Sequence, residues 1–152
     1  MEIGVLNGEN AMAMIKVAIQ NFPPEKVEYY GFDLFDGPES YQVAEDLEKT
    51  GCRFRLFKGD TVDTLPEAVK TLPKMDLIFI DGGKSHVEAK SDWENSKTLM
   101  HNETAVFVHN YGFPGVRRMV DSISRDEYQV KIIHPPSDSD TALIKKKAED
   151  TN

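Results

Sequence analysis

Five polar positions stand at the ends of short apolar runs, and their residue types suit binding of a small ligand. The first is a glycine turn, Gly4 to Gly8 in Met1-Glu-Ile-Gly-Val-Leu-Asn-Gly8, followed at once by a helical stripe of Ala11, Met14, Ile15, Ala18 and Phe22. Glycine lets a backbone approach a ligand closely, and the free N–H groups of a helix's first turn point at what lies before it. The second is Asp33, which closes the run 27–33. A carboxylate at a strand end can accept hydrogen bonds from both hydroxyls of a ribose. The third is Asp60 in Lys58-Gly-Asp-Thr61, the fourth is Asp81 after Leu77-Ile-Phe-Ile80, and the fifth is His109-Asn110 after Ala105-Val-Phe-Val108. Any one of these Asp residues reads equally as a helix cap or turn residue. In series they read as one site, because ligands of an open parallel sheet sit beyond the carboxyl ends of its strands.

The elements that would position them follow from periodicity. Apolar runs at 27–33, 52–57, 77–80 and 105–108 read as strands, and the last two, apolar throughout, as strands buried on both faces. Helical spacing is read over 38–50, with Ala44 and Leu47 on its apolar face and Gly51 as its stop. It recurs at Leu65, Ala68, Val69 and Leu72 behind Thr64-x-x-Glu67, which has capping-box spacing, over 86–100 with Ala89, Trp93 and Met100 on one face, and after Pro114 with Val116, Met119, Val120 and Ile123. Two last strands, 128–133 and 141–145, are joined by a loop too short for a helical crossover and must pair antiparallel. The fold predicted is α/β: a Rossmann-like doubly wound, mostly parallel seven-stranded sheet with a C-terminal antiparallel hairpin. One domain is expected over 1–147, with 148–152 as a solvated tail.

Bulk composition narrows the partners. The chain has 152 residues, 39% hydrophobic and 29% charged, enough for one sizeable core. A net charge of −8 argues against non-specific nucleic-acid binding and against an anionic membrane surface, and leaves a cationic ligand open. The single cysteine, Cys52, allows no internal disulfide and reads as a small buried hydrophobe. With no apolar run of membrane length and no signal-peptide pattern, a cytoplasmic protein is expected.

Several motifs stand together in one order: Glu2-x-Gly4-x-x-x-Gly8, Tyr30-Gly-Phe-Asp-Leu-Phe-Asp-Gly37, Lys58-Gly-Asp60, Asp76-Leu-Ile-Phe-Ile-Asp-Gly82 and Tyr111-Gly-Phe-Pro-Gly-Val-Arg117. Over roughly residues 2–125 they resemble class I S-adenosylmethionine (SAM) methyltransferases of the macrocin and catechol O-methyltransferase-like small-molecule group. The resemblance implies SAM as cofactor, held by Glu2, Gly4, Asn7, Gly8, Asp33, Asp60, Thr61 and Asp81, and a small-molecule acceptor. The tighter G-x-G-x-x-G pattern of dinucleotide enzymes is broken by Leu6 and Glu9, which disfavours NAD.

The resemblance also implies a divalent metal held by Asp81, His109 and Asn110, where relatives carry Asp, then Asp-Asp or Asp-Asn. His109 departs from that pattern. Imidazole suits transition ions better than magnesium, so magnesium is expected to bind poorly. Relatives commonly read Asp-Gly-x-His-Ser-Tyr after the fourth strand, and this chain reads Asp81-Gly-Gly-Lys-Ser-His86. Lys84 and His86 are therefore the candidate bases for the acceptor's proton. Members of the group often carry helices ahead of the first strand that cover the substrate, and that cover is expected to be absent here. Two readings stay open. One is an enzyme that methylates an oxygen of a small molecule; the other is a non-catalytic SAM or nucleoside-binding module of the same fold that has lost its metal site.

Overall fold

The computed structural model describes residues 1–148, so the tail expected at 148–152 lies, apart from Ala148, outside the described residues. The strands are β1 (Glu2–Ile3), β2 (Glu28–Asp33), β3 (Arg53–Lys58), β4 (Met75–Ile80), β5 (Met100–Val108), β6 (Tyr128–Ile133) and β7 (Thr141–Lys146). The helices are α1 (Glu9–Ala18), α2 (Val43–Thr50), α3 (Thr61–Ala68), α4 (His86–Ser96) and α5 (Pro114–Asp121). The strands form one seven-stranded sheet in the order β3-β2-β1-β4-β5-β7-β6. β1 to β5 pair in parallel, and β7 runs antiparallel to both β5 and β6, as the apolar runs and the short final loop predict.

Alternation along the strands sorts the core. Ile3, Phe32, Ile78, Ile80, Val106, Val108 and Ile144 face α3, α4 and α5, where Leu65, Trp93 and Met119 meet them. The opposite face packs Val5 and Tyr29 against Ala11 and Ile15 of α1 and Val43 and Leu47 of α2. Beyond α1 this second face carries Leu77, Phe79, Phe107 and Leu143 only partly buried. A cleft of about 770 Å³ opens there between Met14, Ala18 and Phe22 on one side and Met75 and Leu77 on the other. It lies at the amino ends of the strands and contains none of the candidate site residues.

Four local expectations are corrected. α2 starts at Val43, after a 3-10 turn at Pro38–Ser40, and buries Val43 and Leu47, whereas Ala44 is exposed. Phe22 lies past the end of α1 and is exposed. α3 starts at Thr61, not behind Thr64: the Asp60 carboxylate accepts the Val62 N–H at 2.9 Å and caps the helix earlier than the Thr64-x-x-Glu67 spacing suggests. α4 ends at Ser96, a 3-10 turn covers Lys97–Leu99, and Met100 already belongs to β5. The polar start of β5 is held by buried Thr104, whose hydroxyl donates to the Met75 carbonyl and accepts the His101 N–H at 2.8 Å. Trp93 is a core residue, edge-on to Tyr128.

Candidate active site

Where β1, β2, β3 and β4 end, a cleft of about 260 Å³ is lined by Gly4, Asp33, Asp60, Thr61, Asp81 and Glu88, among others. Of the residues predicted to hold the cofactor, the fold thus gathers Gly4, Asp33, Asp60, Thr61 and Asp81 around one space. The other three support the turn from outside that lining. Gly8, at φ +79°, is the N-cap of α1, and its N–H donates to Val5 O at 2.9 Å. Asn7 Oδ1 accepts the Glu9 N–H at 3.2 Å. Glu2 is buried below the turn, where its carboxylate accepts the Tyr29 hydroxyl and, at 2.7 Å, Asn10 Nδ2. Burial pushes the Glu2 carboxyl above its ordinary range, and those two hydrogen bonds pull it back.

The turn passes between β2 and β4 because of Gly4. Its N–H donates to Phe32 O at 2.8 Å, its φ is +85°, and a Cβ there would lie 2.7 Å from the Asp81 carbonyl carbon. Asp33 clamps the next residues: Oδ2 accepts the N–H groups of Val5 at 2.7 Å and Leu6 at 2.9 Å, and Oδ1 accepts that of Phe35 at 3.1 Å. Leu6 (φ 52°), Phe35 (φ 46°) and Asn110 (φ 58°) all adopt left-handed backbone, just past the ends of β1, β2 and β5. Strain of this kind persists where surrounding structure over-determines it, and it clusters at ligand sites.

Asp81 joins the cleft to a second polar group. The Lys84 ammonium pairs with Asp81 Oδ1, and His109 Nδ1 stands 3.2 Å from Asp81 Oδ2 in ion-pair range, without the alignment of a hydrogen bond. His109 Nε2 is 3.1 Å from Asp138 Oδ1. His86 opens α4 behind a Ser85–Glu88 capping box, and its Nδ1 is buried without a partner. The chain thus brings Lys84, His86, His109 and Asn110 past the carboxyl ends of β4 and β5, on the side of the sheet where the cleft lies.

Residues 1–111 match the sequence model of the family described as a methyltransferase domain. The chain belongs to that family. Solved structures share the fold of this methyltransferase domain at low identity. The TDP-rhamnose 3'-O-methyltransferase CalS11 of calicheamicin biosynthesis, in its apo form, gives a TM-score of 0.78 at 20% identity over 95% of this chain and 70% of that one. TomG, an O-methyltransferase of Streptomyces achromogenes solved with SAM, gives 0.78 at 18% over 97% and 72%. The O-methyltransferase of Bacillus cereus, solved with S-adenosylhomocysteine (SAH), gives 0.75 at 16% over 96% and 72%. No curated protein matches the sequence.

Three features of this methyltransferase domain escaped the sequence reading. Asp138 lies in the β6–β7 loop, where no motif marks it. The Ser85–Glu88 box was legible, since Ser85-x-x-Glu88 has capping-box spacing directly before a helix. Asp92 was invisible as a site residue: it sits mid-helix in α4, fully buried, with neither oxygen hydrogen-bonded. It lies under the cleft's Gly82, where a Cβ would be 2.7 Å from Asp92 Oδ2.

Burial pushes the Asp92 carboxyl up to about 6, with Glu88 and Asp60 adding to the rise and the nearby Thr61 side chain and Lys84 opposing it. A carboxyl raised in the folded state stabilises the fold below its unfolded value near 3.8, and that contribution is lost as pH rises through about 6. Asp92→Asn should therefore stabilise the domain at pH 7.5, by up to about 3 kcal/mol at roughly 1.4 kcal/mol per unit. At pH 3.5 it should give no gain. Urea denaturation at both pH values measures this, and equal effects at the two would show that ionisation of Asp92 carries no cost.

Proposed function

We propose that the domain binds SAM in the cleft at the ends of β1 to β4 and transfers its methyl group to an oxygen of a small molecule. One observation carries this reading: Gly4, Asp33, Asp60, Thr61 and Asp81, drawn from four strand ends within the family match, line a single cleft. Bound there, SAM supplies an electrophilic methyl on a sulfonium. The chain's residues do the rest. Gly4 lets the turn run against the Asp81 backbone, which sets the edge of the cleft. An ionised carboxylate has about four acceptor sites, so Asp33, with three backbone N–H groups on it, keeps capacity for a ribose hydroxyl. Asp60 and Thr61 suit the adenine end, and the acidic lining suits a cationic ligand.

Proton removal from the acceptor falls to a basic side chain that follows Asp81 in the chain. Lys84 is committed to Asp81, which leaves His86, the first residue of α4, as the proton acceptor. Within the described residues no helix is long and apolar enough to cross a membrane, and we assign the acidic, single-cysteine chain to the cytoplasm.

Calorimetry with SAM, SAH and NAD tests the ligand, and transfer of labelled methyl to a panel of phenols and sugars tests turnover. Heat with SAM and SAH but not NAD is expected, along with label in at least one acceptor. Heat without turnover across broad acceptor classes would favour the binding-module reading, and no heat with either adenosyl ligand would remove both.

A further inference from the structure

The divalent metal implied by the resemblance does not fit the residues that stand at the ends of β4 and β5. The Lys84 ammonium pairs with Asp81 Oδ1, and His109 Nδ1 stands 3.2 Å from Oδ2 without a hydrogen bond to it. Lys84 Nζ donates a second hydrogen bond to the Asp81 carbonyl oxygen at 3.1 Å. The far nitrogen of His109 is taken up by Asp138. Among the described residues, no group of three or more His, Cys, Asp and Glu side chains is arranged to hold a metal ion.

We propose that the Lys84 ammonium is the resident cation of this site and fills the position beside Asp81 that a divalent metal would otherwise take. The assignment deepens the methyl-transfer reading and rests on it for where the acceptor sits. Lys84 cannot withdraw by moving its backbone. Ser85, next in the chain, is locked in the capping box, with its hydroxyl accepting the Glu88 N–H at 3.2 Å and its own N–H donating to Glu88 Oε2 at 3.2 Å. Gly115 of α5 packs against the same segment so closely that a Cβ there would lie 2.7 Å from the Ser85 carbonyl carbon.

Both Lys84 and Asp81 are 31% exposed, so their pair is less screened than one on open surface. A divalent ion arriving at Asp81 would meet an ammonium at contact range or have to displace it. An ammonium has three N–H donors; two are spent on Asp81, and the third remains for an acceptor oxygen. Histidine at position 109 is then not the main barrier to a metal. Replacing it with aspartate, as relatives have, leaves the ammonium in place.

Manganese(II) titration, read by loss of the free-ion EPR signal and competed with magnesium, tests this on four proteins. They are the natural chain, His109→Asp, His109→Asp with Lys84→Met, and His109→Asp with Lys84→Arg. Circular dichroism confirms that each is folded, and Lys84→Ala replaces Lys84→Met if the latter is not. The neutral-84 double variant should bind manganese at least about tenfold more tightly than the other three. Tight binding by the natural chain, or equal affinity in His109→Asp and the neutral double variant, would overturn the assignment. So would equal affinity in the Arg and Met versions, because charge at position 84 would then not be the cause. SAH calorimetry on the natural chain keeps the two readings apart. A chain that excludes manganese and gives no heat with SAH retains Lys84 as the resident cation and loses the methyl-transfer role.

Discussion

Gly4→Ala should cost this domain far more stability than the same change at Gly8. Alanine at φ +85° carries a left-handed penalty of about 1–2 kcal/mol before any contact is counted. Its Cβ would also lie 2.7 Å from the Asp81 carbonyl carbon, a backbone group of the adjacent strand that cannot rotate away. Relief requires β1 and β4 to part at the centre of the sheet, and a total cost above about 4 kcal/mol is expected, a large share of the about 5–15 kcal/mol that holds a domain. Gly8→Ala is the control. Its φ is +79°, but its Cβ would meet only the Val43 side chain at 3.4 Å, an ordinary contact. It should cost about 1–2 kcal/mol, the backbone penalty alone. Denaturant melts of both variants decide the matter, and similar losses in the two would mean that β1 and β4 separate more readily than their packing indicates.

Asp33→Ala should strike stability and ligand binding together. It removes the acceptor for the N–H groups of Val5, Leu6 and Phe35, and with it the clamp that keeps Leu6 and Phe35 left-handed. Water can reach part of this turn, so the stability loss should be about 1–3 kcal/mol, near the cost of stranding one buried donor. SAH affinity should fall at least about tenfold, the low end for losing a hydrogen bond to a charged group. Asp33→Asn separates the two effects. Its amide oxygen can still accept from Val5 or Leu6, so much of the stability should return while affinity stays low. Unchanged SAH affinity in Asp33→Ala, measured by calorimetry on protein shown to be folded, would take Asp33 out of the ligand site.

The sheet was legible because its strands obey one rule. Leu77-Ile-Phe-Ile80 and Ala105-Val-Phe-Val108 are apolar on both faces, as central parallel strands require; Asp81, after the first run, lines the cleft, and His109, after the second, stands against Asp81. The errors came where two local signals compete. Asp60 and Thr64 can each start α3, and the spacing of Thr64 and Glu67 hid the stronger cap. Ala44 and Val43 are adjacent, and only the packing of α2 against Val5 and Tyr29 selects valine. Residues 101–104 are too polar to read as strand, and Thr104 holds them there through a hydrogen bond to Met75, distant in sequence. At the site, acids that end strands were readable one at a time. The partners of Asp81 were not: the Lys84 contact depends on one side-chain rotamer, and Asp138 reaches His109 from a loop whose path is set by the hairpin beyond it.

The shortest strand lies inside the sheet, two residues of β1 held between β2 and β4. Several ties that shape the cleft join parts of the chain made at different times. Val5 waits for Asp33, Gly4 waits for Asp81, and His109 waits for Asp138. On a ribosome adding about 5–20 residues per second, the first residues of the chain stay without their lateral partners for seconds, until β4 has emerged. Loop-closure entropy is spent before any of these contacts forms, so the cleft closes late, with the sheet as a whole. The cleft is a property of the completed sheet.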